Sequence, residues 1–148
     1  MKEVVVSWSV DAPREAIERV LTPAAIVEHA GTYLVDRVER LDDVVVVTAS
    51  AGDLETVLEF TETDTGWIYR QRPDRGPFDR MYASVAVLGD RPVDLVLRSC
   101  FTFGLPLSRL TDWFVATDRR TELERLGEGL VAAAGESADV VTERTPSD

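Results

Sequence analysis

Apolar positions recur with a period of two through most of this chain and with a period of three to four elsewhere, and the switches mark its elements. Glu3 to Val10, rich in Val and carrying Trp8, predicts a first strand that Asp11-Ala12-Pro13 stops. Pro13 opens a short helix through Val20, with Asp11 or Ala12 near its N-cap and Glu15 in its first turn. Thr22-Pro23 repeats the cap-then-proline signal for a second short helix ending between Glu28 and Gly31. From Thr32 the period is two. Thr32–Arg40 and Val44–Ser50 predict a hairpin through Leu41-Asp42-Asp43, and Leu54–Glu62 sets Leu54, Thr56, Leu58 and Phe60 against Glu55, Val57, Glu59 and Thr61. Trp67–Arg72, Phe78–Leu88 and Pro92–Phe103 complete seven strands, divided by Pro73–Pro77 and Gly89-Asp90-Arg91-Pro92.

A Gly104-Leu105-Pro106 corner then leads into helical spacing. Leu107, Leu110 and Phe114 share one face, whereas Leu123, Leu126 and Leu130 lie on nearly the opposite face of a continuous helix. Thr117, Asp118 and Thr121 interrupt the stripe. The spacing predicts a short helix over about 106–115, a break, and a longer helix over about 117–134 capped by Thr117 or Asp118; a single straight helix with an irregular stripe is the alternative. Residues 135–148 are small, polar and acidic and are expected to form a flexible tail after one domain, 1–134. Strand, two helices, six strands and a long helix imply an α+β fold. A bent antiparallel sheet wraps the final helix, with a cavity between the two.

Composition narrows the functions. A length of 148 residues suits a single core, and a net charge of −11 argues against the basic face that nucleic acid requires. Lys2 is the only lysine, Gln71 the only glutamine, and asparagine is absent. That acidic, lysine-poor pattern is expected of a halophilic protein in a high-salt cytosol, where screening tolerates self-repulsion; a GC-rich genome also favours Arg over Lys. Cys100 stands alone, which excludes an internal disulfide and a thiolate metal cluster and reads most simply as a buried thiol. No apolar run approaches the ~20 residues of a membrane span, and no signal-peptide pattern precedes the first strand, so a cytoplasmic location is expected.

Several segments together resemble the START-like (SRPBCC) superfamily, the helix-grip proteins related to polyketide cyclases and the plant allergen fold. They are Val6 to Ile17 (Val-x-Trp-x-Val-Asp-Ala-Pro-Arg-Glu-Ala-Ile), Leu54 to Phe60, Gly76-Pro-Phe-Asp79, Phe101-Thr-Phe-Gly-Leu-Pro106, Leu107-Ser-Arg-Leu110 and Arg119 to Leu126. The resemblance spans about residues 3–134, and its motifs are architectural, not catalytic. It implies a helix-grip fold: a curved seven-stranded antiparallel sheet around a long C-terminal helix, with two short helices after strand one. It also implies a hydrophobic small-molecule cavity; relatives bind lipids, quinones, hormones or polyketides, and only some do chemistry. Members often carry a Trp at the end of the second small helix, where this chain has Glu28-His29-Ala30-Gly31.

Standard catalytic signatures are missing: no Gly-x-Gly-x-x-Gly, Gly-x-Ser-x-Gly or His-Glu-x-x-His occurs. With one histidine and no tight carboxylate cluster, neither a metal site nor a cofactor is expected. His29 is the natural acid–base candidate, against a plainer reading as a helix-end histidine. Arg70, Arg72, Arg75 and Arg80 form a local positive patch suited to an anionic head group, or simply pair with nearby acids. Trp8, Trp67, Tyr69 and Tyr82 line the cavity if their strand faces turn inward, and otherwise fill core. Leu58, Phe60, Leu97, Phe101 and Phe103 are the firmer inward positions, joined by Leu110 and Phe114 from the helix. Asp36/Glu39, Asp42/Asp43 and Glu59/Glu62 read as solvated acids. The leading expectation is therefore a carrier of a hydrophobic or amphiphilic small molecule, oriented by Tyr69, Arg80 or His29. One alternative is a polyketide cyclase- or dehydratase-like enzyme using His29 or Tyr69 as acid or base. Another is an interaction module docking through Trp113 and Phe114.

Overall fold

The computed structural model describes residues 2–90, 92–102 and 119–134, together with the backbone of Phe103 and of residues 140–147. Strand β1 (Lys2–Val10) leads into helices α1 (Arg14–Val20) and α2 (Pro23–Ala30). Strands β2 (Leu34–Leu41), β3 (Val44–Ala51), β4 (Leu54–Glu62), β5 (Gly66–Gln71), β6 (Phe78–Leu88) and β7 (Val93–Phe103) follow in an antiparallel meander. Helix α3 (Arg119–Ala133) and strand β8 (Val140–Ser147) end the chain. Across the sheet the order is β2-β3-β4-β5-β6-β7-β1-β8, so the first strand closes the far side of the meander, with Val6 opposite Leu97 and Trp8 opposite Leu95.

The expected seven strands and the longer C-terminal helix are thus present as a helix-grip α+β fold. The tail is a correction: residues 140–147 pair with β1 from Val140 opposite Val10 to Ser147 opposite Glu3. Val140, Val141, Thr142 and Thr145 favour extended backbone, and β1 would otherwise present unpaired N–H and C=O groups along its outer edge. A second correction concerns α1, whose N-cap is Pro13 with no side-chain cap, because the chain at Ala12 is buried and turned back on β1. In α2 the expected cap is present: Ala25 N donates to Thr22 Oγ1 at 3.2 Å, and Gly31 closes the helix in the left-handed conformation at φ 82°. The helical segment expected over 106–115, its break, and Leu110, Trp113, Phe114, Thr117 and Asp118 lie outside the described residues.

The core lies between the concave sheet face and α3. Val6, Trp8, Val47, Phe60, Val85 and Leu97 of the sheet and Leu123, Leu126 and Leu130 of α3 are buried in one core, with α3 packed on β1, β7 and α2. Each such side chain contributes on the order of 1.5–3 kcal/mol by leaving water. Two glycines let the helix sit this close. A Cβ on Gly127 would overlap the six-membered ring of Trp8, and one on Gly129 would lie 2.5 Å from His29 Nδ1. Glycine inside a helix costs about 1 kcal/mol relative to alanine, and here that cost is offset by direct seating of α3 on β1 and α2. Among the described residues no helix is long and apolar enough to cross a membrane.

Candidate ligand-binding site

Between α2, the concave faces of β4, β5 and β6, and the first turn of α3 lies a cavity of about 30 Å³. Ile26, Val27 and Ala30 wall it from α2, Leu58, Phe78 and Met81 from the sheet, and Tyr33, Thr56, Tyr69, Arg119 and Glu122 supply its polar atoms. That volume is room for about one water.

Its polar end is built around Arg119, only 8% exposed. Nε donates to Ser99 Oγ at 2.8 Å, Nη1 to Glu122 Oε1 at 3.3 Å, and Nη2 to Tyr69 Oη at 3.4 Å. Glu122 is equally withdrawn, its side chain 5% exposed. Burial works to lower the Arg119 pKa, but Glu122 and Tyr69 beside it hold it above the usual arginine range. Burial pushes the Tyr69 phenol up, against the pull of Arg119, and likewise pushes up Tyr33, with the charge of Glu122 adding to the effect and Arg119 opposing it. Both phenols therefore stay protonated at neutral pH and serve as hydrogen-bond donors or acids, not bases.

Packing holds these groups in place. Tyr69 stacks on Phe60 with ring centroids 4.5 Å apart at 15°, and Phe60 meets Trp67 edge-on at 6.3 Å. Trp67 Nε1 donates to Leu21 O at 3.1 Å, tying the α1–α2 junction to the sheet. The buried Gln71 closes the 72–77 loop: its Nε2 donates to Phe78 O at 2.7 Å and its Oε1 accepts from Phe78 N at 3.1 Å. Gly76 packs where any Cβ would strike the Gln71 amide. That staple sets Phe78, tilted against Phe101 at 5.4 Å, into the cavity wall.

Of the residues singled out in the sequence, Leu58 and Tyr69 line this cavity. Trp8, Phe60, Trp67, Leu97 and Phe101 are buried in the core around it. Phe103 lies in β7 and its side chain, like Leu110 and Phe114, is outside the described residues. His29 packs against Gly129 of α3, away from the polar end. Arg80 and Tyr82 are a correction, since both are exposed on the opposite, convex face. A bulge between Phe78 and Arg80 shifts the alternation, so that after inward Phe78 it is Met81, Ala83 and Val85 that turn inward. Sequence reasoning missed Arg119, Glu122, Ser99 and Tyr33 as a cluster. A signal did exist: Arg119 and Glu122 stand four residues before Leu123 and Leu126, continuing the buried stripe with charge.

The arginine patch is mostly self-neutralised. Arg70 and Arg72 both pair with Glu59, and Arg75 pairs with Glu55 at 2.6 Å. Arg80 makes no ion pair among the described residues. The hydrogen bond from Arg72, reinforced by Arg70 and partly offset by burial, holds the Glu59 carboxyl below the usual carboxylate range. A lowered folded pKa means stability that is present above the unfolded pKa and is lost as pH falls through the folded one. Acidification across roughly pH 5 to 3 should therefore lower the melting temperature more for the wild type than for Glu59→Gln. Parallel curves for the two proteins would show that the guanidinium pair contributes nothing in solution.

No family model and no curated protein matches this chain. Solved structures do. The Zhui aromatase/cyclase from Streptomyces sp. R1128 superposes with a TM-score of 0.66 at 16% identity, covering 89% of this chain and 93% of that one. A START superfamily protein from Mycobacterium smegmatis does so with a TM-score of 0.59 at 14% identity, covering 91% and 98%. In the di-domain aromatase/cyclase BexL of the BE-7585A biosynthetic pathway, the likeness has a TM-score of 0.61 at 13% identity and covers 93% of this chain but 50% of that one. Identities this low speak for architecture alone, and the architecture that this chain shares with them is the helix-grip α+β fold.

Proposed function

We propose that the protein binds an apolar small molecule carrying an oxygen-bearing head group. The body would lie against Ile26, Val27, Leu58, Phe78 and Met81, with the head at Arg119. One observation carries this reading: a buried ion pair at one end of a mainly apolar hollow, where a guanidinium and two protonated phenols border the same small space. Burying such a pair is costly against apolar packing of the same volume, so its presence supports a role in recognition. A ligand larger than one small group has to part α2 from the sheet, and apolar burial, at ~25 cal/mol per Å² before ordering costs, supplies the driving force. The acidic, lysine-poor composition supports a high-salt cytosol as the setting.

A second reading, a cyclase-like enzyme, is favoured by the contact of Tyr69 with Arg119 and by the likeness to aromatase/cyclase structures. In it Tyr69 and Arg119 would both donate hydrogen bonds to a substrate carbonyl oxygen and stabilise the negative charge that develops there as water takes the α proton, and His29 takes no part.

Native mass spectrometry at a salt concentration that preserves the circular dichroism tests both. Medium-chain fatty acids and hydroxylated aromatic ketones are expected to bind the wild type one to one. Arg119→Met/Glu122→Leu, which keeps the shape and removes the charge, should weaken binding at least about tenfold, or ~1.4 kcal/mol. A folded wild type that takes up neither class would overturn the binding proposal. Turnover of a ketone lost in Tyr69→Phe, with binding retained, would select the enzyme.

A further inference from the structure

Strand β2 ends the sheet, and nothing among the described residues pairs with its outer side. Seven of its eight residues are exposed, including Leu34 at 77%, Val38 at 47% and Leu41 at 49%. An edge of this length presents unpaired N–H and C=O groups and is a template for another strand. Protective edges are commonly blunted with charge, and β2 is charged, but its charges alternate in sign: Asp36, Arg37, Glu39 and Arg40 flank Val38.

We propose that β2 pairs with β2 of a second copy of this chain, antiparallel about a two-fold axis through Val38, continuing the two sheets as one. A two-fold axis perpendicular to a continuous sheet keeps each residue on its own face. It must therefore pass through a residue and not between two, because successive residues point to opposite faces. The possible registers are then few. Centring on Arg37 sets Arg37 against its own copy, and centring on Asp36 or Glu39 sets like carboxylates together. Centring on Val38 sets Val38 against Val38 and Arg37 against Glu39 twice, while Asp36 sits at a bulge between Val35 and Arg37, outside the regular alternation. The two charges beside the axis, Arg37 and Glu39, then each meet their opposite. Arg37 and Glu39 lie on one face of the sheet, opposite Thr48 and Val46 of β3, so the pairing is sterically consistent. In the single chain Arg37 Nε is 3.0 Å from Glu39 Oε1, and the dimer would exchange this exposed contact for cross-strand ones. Exposed pairs contribute little each. Backbone hydrogen bonds and the apolar contact at Val38 supply the affinity, and the charges select the register.

Sedimentation velocity of the full chain over a wide concentration range, at the lowest salt that preserves its circular dichroism, tests this. The wild type should show a reversible monomer–dimer equilibrium. Glu39→Arg places two like-charged pairs across the axis and should weaken dimerisation about tenfold. The charge swap Arg37→Glu/Glu39→Arg should restore it. These positions are exposed, so circular dichroism of each variant should match the wild type. A wild type that is monomeric throughout overturns the proposal, as does a dimer indifferent to Glu39→Arg or one that the double swap fails to restore.

Discussion

Arg119→Met is expected to lower the unfolding free energy by about 3–5 kcal/mol, the penalty for leaving one partner of a buried ion pair alone. The substitution is close in volume, so the cost is electrostatic. Glu122 would remain almost fully enclosed, with Ser99 Oγ and Tyr69 Oη losing the donor that joins them to it. Removing both charges should behave oppositely. Arg119→Met/Glu122→Leu is expected to be neutral or more stable by roughly 1–4 kcal/mol, since neither charge then has to be desolvated. Chemical denaturation of the four proteins of the cycle measures this. A single-variant loss below about 1 kcal/mol would mean that water reaches the pair and that it behaves like a surface contact. The predicted outcome, a native network that is dispensable for folding, is what a recognition site looks like when selection has set function above maximal stability.

Phe60→Ala should cost about 3–5 kcal/mol through lost transfer energy and a residual cavity. Phe60 has no exposed surface, and its ring is shared between Tyr69, stacked on it, and Trp67, set edge-on. Such aromatic pairs add about 0.5–1.5 kcal/mol beyond area, which places this position at the upper end of the range. The consequence reaches the pocket. Without the ring behind it, the Tyr69 phenol is no longer held at Arg119, so ligand affinity should fall together with stability in Phe60→Ala. Denaturation midpoints with and without a bound fatty acid separate the two effects. A stability loss under about 2 kcal/mol would show that α3 settles onto the sheet and fills the space.

Much of this architecture is local and was legible along the chain. The strands Leu54–Glu62 and Phe78–Leu88, the Thr22 cap and the Gly31 stop of α2 follow from alternation and end chemistry confined to a few neighbouring residues. Tyr69 and Leu58 were legible as candidate lining for the same reason, since regular strands preserve parity. Arg80 and Tyr82 were not, because one extra residue at the Phe78–Arg80 bulge turns every later side chain to the other face, and a bulge has no dependable composition. The tail was misread because its preference for extended structure is realised only beside the free edge of β1.

By itself, then, the sequence determined the order of elements, their approximate ends and the stripe that α3 buries, all properties of short-range spacing. Tertiary structure alone decided that Arg119 and Glu122 are interior, that Tyr69 and Ser99 meet them from two different strands, and that the arginines of the 70–80 region face solvent. Those outcomes depend on which surfaces close over which, so the energy of a charge is set by residues tens of positions away.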